Sequence, residues 1–387
     1  MIIPKQEMVK TNISFAIFSL INILFSVKYF SRYTTYYLFI VAVLLLFHVF
    51  LFYKGNSLQL FSKKGTWITG LFLILFSVGS IFIFNKVPVE TLNVDRWSVI
   101  TSFWDYFFDD KYVYYAKSHR DSYPGPMPFY FILALPFYIV GELGYLSLSG
   151  VFVFFLLLKY MKVKLTYQTI AVLLVLTSPF YLWEILVRSN IFFNAVLIAF
   201  SMVFFFKIKK YDSLRNQLLI GLVIGLLLST RNVFALCYII LFLYALKSKK
   251  INFKSTILIG GIALFIFALT FLPFIIGFEE DFLKINPFII QSSFLMPVEW
   301  VFSAVFCAFF LFLFCQNDAD VYFYSGLMLF FTIVLHFVYH SLETSVYEAF
   351  IEKSIIDISY FIMCIPFFLC YMLSSKKRVS AVSGDIP

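Results

Sequence analysis

The sequence predicts an all-α polytopic membrane protein of about 12 transmembrane helices, with one juxtamembrane or dipping helix after a large first outer loop. Three observations predict it. Of 387 residues, 62% are hydrophobic and only 13% charged, whereas soluble domains carry roughly 25% charged residues. Mean hydropathy is +0.92. Apolar runs approaching the roughly 20 residues of a membrane span recur from end to end. The five cysteines (Cys237, Cys307, Cys315, Cys364, Cys370) lie inside apolar runs without CxxC spacing, so neither a disulfide framework nor a zinc site is expected.

Candidate helices run over 12–30, 34–53, 67–84, 127–143, 145–160, 165–181, 191–206, 217–230, 233–246, 256–276, 298–315, 321–338 and 358–373. The first follows Lys5 and Lys10 and lacks a small-residue cleavage site, so it reads as a span rather than a signal peptide. Lys and Arg mark cytoplasmic helix ends. This places Lys63-Lys64, Lys159 to Lys164, Lys207 to Arg215, Lys247 to Lys254 and Lys376 to Arg378 inside. Between the first two clusters lie three apolar runs, an odd number, so one of them does not cross. The run 127–143 is assigned that role, because it contains Pro128 and Pro136 and follows the polar loop 85–126. Thirteen runs less this one leave twelve spans with both termini inside. Of the 21 acids only Glu7, Asp212, Asp318, Asp320 and Asp385 fall on the cytoplasmic side. The net charge of +9 therefore reads as topology, and no nucleic-acid partner is expected.

Chemistry is expected in the outer segments 85–126, 182–190, 277–297 and 339–357. In the first, Asn93-Val94-Asp95-Arg96-Trp97 precedes a helix-compatible run rich in aromatics. Asp95 fits either a general base partly shielded from water or a plain N-cap for 96–108. Arg96 beside it is a substrate-binding candidate. Asp109-Asp110 offers oxygen ligands for a divalent cation, Mg or Mn, and equally fits a solvated pair. His119 can contact a phosphate or carry a proton. Tyr123-Pro124-Gly125-Pro126-Met127-Pro128 forces a rigid turn that can wall a groove.

Arg188 and Asn190 stand between two spans, where arginine is costly unless it meets an anion or a cavity. Arg231, in Ser229-Thr230-Arg231-Asn232, lies between two short apolar runs and so below the outer surface, where a guanidinium wants a phosphate or carboxylate. His336 and His340 share a helix face at a spacing used by zinc, without an intervening Glu. Glu279-Glu280-Asp281 reads as solvated charge.

Taken in order, Asn93-Val94-Asp95-Arg96-Trp97, the Tyr123-Pro124-Gly125-Pro126 turn with its non-crossing helix, Thr177-Ser178-Pro179-Phe180 leading to Arg188-Ser189-Asn190, and Ser229-Thr230-Arg231 resemble the GT-C superfamily of polyprenyl-phosphate-sugar-dependent membrane glycosyltransferases. The resemblance covers about half the chain, residues 67–246. It implies three parts: 1–66, two N-terminal transmembrane helices; 67–246, a catalytic module with the outer loop 85–126; and 247–387, C-terminal helices for acceptor or lipid binding. It implies that Asp95 activates an acceptor hydroxyl and that Arg231, with Arg188, holds the donor phosphate, the reaction inverting the anomeric carbon. Asn190 stands where the family often has an acid, which weakens any two-carboxylate metal site, so a divalent ion is allowed and not required. The implied partners are a polyprenyl-phosphate sugar donor, a glycan, lipid or protein acceptor, and membrane lipids. The competing readings are a transporter or flippase, and a polysaccharide polymerase or ligase handling lipid-linked sugars. Against the first, no internal repeat is visible and charge gathers in loops; against the second, the large loop comes early. The expected location is a bacterial inner membrane with the site facing outside, or the ER membrane in a eukaryote.

Overall fold

The structure, a computed structural model, describes residues 5–32, 34–294, 297–348, 350 and 357–382, and among these every regular element is helical. The helices are α1 (Lys5–Phe30), α2 (Tyr37–Lys54), α3 (Gln59–Lys86), α4 (Arg96–Phe108), α5 (Pro128–Val140), α6 (Gly144–Tyr160), α7 (Leu165–Leu176), α8 (Pro179–Leu186) and α9 (Ile191–Lys207). They continue as α10 (Leu214–Leu228), α11 (Ala235–Lys247), α12 (Phe253–Leu269), α13 (Leu272–Ile275), α14 (Glu279–Lys284), α15 (Pro287–Phe294), α16 (Val298–Leu311), α17 (Asp318–Glu343) and α18 (Ile365–Val382), the last preceded by a 3-10 stretch, Ile358–Cys364.

Local chemistry sets the breaks. Proline occupies the first helical position of α5 and α8, where its missing N–H is harmless. Asn252 and Asn317 cap α12 and α17 through their side-chain oxygens. Gly141, at φ 86°, ends α5 in the left-handed region, and the chain turns by 119° into α6. The run 127–143 is thus not collinear with the helix that follows it. The run 165–181 also breaks, at Thr177 to Pro179, with a 58° bend between α7 and α8.

Six helices among the described residues are long and apolar enough to cross a membrane, and eight if each bent pair counts as one span. The molecule is an α-helical membrane protein by these features, and twelve spans are not reached by length. The reason is dimensional: α10 and α11 have 15 and 13 residues, a rise of about 20–22 Å against a hydrocarbon core of about 30 Å.

One buried cluster runs through the bundle and includes Phe18, Phe180, Phe192, Ile240 and Phe368, drawn from all three stretches of the chain. Gly221 and Gly225 let α10 approach α12 closely: a Cβ at Gly225 would stand 2.5 Å from Ala263 O. At one end of the bundle the lysines gather at the start of α17. Lys10 Nζ donates to Asp320 (2.8 Å), Lys250 pairs with Asp318, and Lys247 Nζ donates to Leu313 O (2.6 Å).

At the other end the loop 85–126 builds its own core on α5. Phe103 stacks on Phe131 with centroids 3.7 Å apart and planes 1° off parallel, and Trp104 Nε1 donates to Phe131 O (3.1 Å). Both rings are buried, so removing either side chain costs about 3–5 kcal/mol. Tyr112 Oη donates to Ile285 O and Tyr115 Oη to Asp281, which ties the segment 277–291 over the same core.

Candidate active site

Where the loop 85–126 meets the bundle, a cavity of about 600 Å³ opens, within the usual size range of small-molecule sites. Its polar side is made by Asp95, Arg96, Tyr123, Tyr130, Arg231, Asp357 and Tyr360. Its other side is apolar: Ile239 of α11, Val301, Ala304 and Val305 of α16, and Ile333 of α17.

Asp95 occupies the residue before α4, yet its side chain makes no capping bond. Instead Ser118 Oγ donates to Asp95 Oδ2 at 3.2 Å. Ser118 is fixed in turn, accepting the N–H groups of Arg120 and Ser122, both at 3.2 Å. The two strands of this clasp are locked further on. His119 Nε2 donates to Leu92 O (3.3 Å), which leaves Nδ1 to accept the Ser98 hydroxyl (2.6 Å). Trp97 stacks on the same imidazole at 5.3 Å, and Arg120 donates to Asn93 O (2.7 Å).

Arg231 reaches the cavity because its turn docks on the start of α5. The first amides of that helix lack intrahelical acceptors. Met127 N and Tyr130 N donate to Thr230 O and Ser229 O, and Phe129 N donates to Ser229 Oγ. Arg231 is 9% exposed, its guanidinium set between the rings of Tyr130 (5.2 Å) and Tyr360 (5.6 Å). Its Nε has no hydrogen-bond partner, and it makes no ion pair among the described residues. Arg96 lies over the other reach of Tyr360 at 5.1 Å, pairs with Asp357 and donates to Ser359 Oγ (2.9 Å).

Of the expected site residues, the structure brings Asp95, Arg96, Tyr123 and Arg231 to one cavity. His119 stands behind Asp95 as part of the clasp. Arg188 does not reach the cavity: at φ 55° and 1% exposed, it donates to Phe84 O (3.1 Å), Val87 O (3.0 Å) and Leu186 O (2.7 Å) and approaches Glu142. It closes the end of α3, where carbonyls lack helical partners. Asn190 precedes α9; both polar atoms of its amide are buried without a hydrogen-bond partner. The nearby buried Glu184 caps α9, accepting Ser189 Oγ (2.8 Å), Ile191 N (2.8 Å) and Phe192 N (3.0 Å).

Asp109 and Asp110 lie on the surface away from the cavity, Asp109 bound to Lys111 at 2.8 Å, which holds the Lys111 ammonium above its usual range. No group of three His, Cys, Asp or Glu suited to a metal converges among the described residues. The cavity offers a divalent cation Asp95 and Asp357, and the second is already engaged by Arg96 and by Ser359 N (2.9 Å). His336 lines the cavity, a placement that the zinc-like spacing did not foretell.

Sequence reading missed Tyr130, Asp357 and Tyr360. A signal for Asp357 was available: an acid directly before a span, with Ser359 two residues on, is a helix-start pattern, and a buried arginine elsewhere needs an acid. Nothing local marks the two tyrosines among 25. No protein-family model, curated protein or solved structure matches this chain.

Proposed function

We propose that the chain is a membrane glycosyltransferase moving a sugar from a polyprenyl-phosphate donor to an acceptor hydroxyl on the extracytoplasmic side. One observation carries the reading: Arg231, nine-tenths buried and without an acid partner among the described residues, lines the same cavity as Asp95. A guanidinium held below the surface of a membrane protein wants an anion, and phosphate suits its planar donors. The apolar wall from α11, α16 and α17 suits the prenyl chain attached to that phosphate. The lysines gathered at the opposite end of the bundle support the sidedness.

In the proposed reaction the acceptor oxygen attacks the anomeric carbon, the bond from that carbon to the phosphate oxygen breaks, and the acceptor proton passes to Asp95. The prenyl phosphate leaves with the bonding electrons. Arg231 stabilises the charge that grows on the leaving oxygen, and its preset position between two rings keeps reorganisation small. Ser118 orients the Asp95 carboxylate. A single displacement inverts the sugar.

The test is transfer by the purified protein from a panel of polyprenyl-phosphate sugars, comparing wild type with Asp95→Asn. Loss of turnover with donor binding retained supports the reading. Full activity of the variant removes Asp95 as base, and movement of lipid-linked sugar across vesicles without transfer favours a flippase.

A further inference from the structure

We infer that Asp357 is a specificity-determining residue, one that sets the charge of the lipid head the cavity accepts. The inference rests on the donor reading above. The guanidinium carbons of Arg96 and Arg231 lie 5.1 and 5.6 Å from the centroid of one ring, that of Tyr360. Two cations sharing a partly buried ring repel unless anions compensate them. Arg96 has its anion in Asp357, with Ser359 Oγ as a further acceptor. Asp357 is not free to swing away, because its other oxygen caps the 3-10 stretch through Ser359 N at 2.9 Å. Arg231 has no such acid among the described residues.

Among the described residues Arg231 is thus the guanidinium of the cavity without an ion pair, while the two arginines and the carboxylates of Asp95 and Asp357 sum to no net charge, so each negative charge a ligand brings adds to its cost. A phosphodiester, the head of a sugar linked through one phosphate, brings one negative charge, which Arg231 can meet. A diphosphate brings at least two. To hold it, Arg96 would have to leave Asp357, and that carboxylate would remain unpaired in a partly buried site, an arrangement that rejects the wrong ligand by its cost.

The experiment uses the full chain in lipid nanodiscs and two probes, farnesyl methyl phosphate as the singly charged diester and farnesyl diphosphate. Wild type is expected to bind the diester more tightly, and Arg231→Ala to weaken that binding. In Asp357→Asn the diphosphate affinity is expected to rise by about tenfold, with the diester changed by less than about twofold. Asp357→Ser keeps a capping oxygen without charge and serves where the Asn variant does not fold; Asp357→Glu keeps the charge and the wild-type preference. An unchanged ratio in the uncharged variants, with diester binding still dependent on Arg231, overturns this assignment alone. Failure of both probes to bind wild type overturns the donor reading and this inference with it.

Discussion

Ser118 Oγ stands 3.2 Å from Asp95 Oδ2 and donates to it, so the acid at the start of α4 is held by a residue 23 positions further along the chain rather than by the helix it precedes. Helix capping and a catalytic role were both open from the order of residues. The side chain makes no capping bond, whereas an aspartate serving as cap would accept from its own helix, so the carboxylate is left for the role proposed above.

Ser118→Ala is expected to lower kcat by about tenfold, the worth of one hydrogen bond to a charged group, with KM little changed. Steady-state kinetics with a saturating acceptor check it. A change in KM alone would assign Ser118 to binding.

His119→Ala is expected to reduce activity without removing it, and to leave the shape of the pH–rate profile as in wild type. The imidazole joins Leu92 to Ser98 and supports Asp95 from behind. Loss of one limb of the profile would make His119 the proton carrier instead.

The two arginines expected to hold phosphate should separate. Arg231→Ala is expected to weaken donor binding by about 10- to 100-fold, the loss of a charge-assisted contact of about 1.5–3 kcal/mol. Arg188→Ala is expected to destabilise the fold by about 3–5 kcal/mol, since it strips partners from buried groups, while molecules that do fold keep donor affinity. Thermal melts by size-exclusion and equilibrium binding measure the two effects. Equal losses of donor affinity would return Arg188 to the site.

Sidedness is checked by cysteine labelling in a background where the exposed Cys307 is replaced by Ala. Asp109→Cys and Glu279→Cys, both at exposed positions, are expected to react together with an impermeant maleimide in intact cells. Lys210→Cys is expected to react only after permeabilisation. Opposite behaviour of positions 109 and 279 would break the shared face.

Much of this was legible because hydropathy and lysine placement act over many residues at once. Every apolar run became helix, and Pro128, Pro136 and Gly141 marked the element that turns away from its neighbour by 119°. Arg231 was legible because a cation between two short runs has few places to go. Arg188 looked alike in sequence, yet its donors go to the carbonyls of Phe84 and Val87, over 100 positions away. Local pattern carries no record of such a partner. Asp357 was hidden for the same reason: its meaning depends on Arg96, 261 positions distant. Hydropathy alone does not fix the number of spans, because short helices such as α10 and α11 are apolar enough to cross but fall below the length of a full span by themselves.

The stack of Phe103 on Phe131 fastens α4 to α5, and α5 stands at 119° to α6 rather than continuing it. Long helices answer a thicker or thinner bilayer by tilting. An aromatic weld between two elements set apart from that axis moves as one block, so the height of Asp95 relative to Arg231, whose turn rides on the same α5, stays fixed when the surrounding lipid changes. The proposed transfer should then tolerate acyl chains of widely different length.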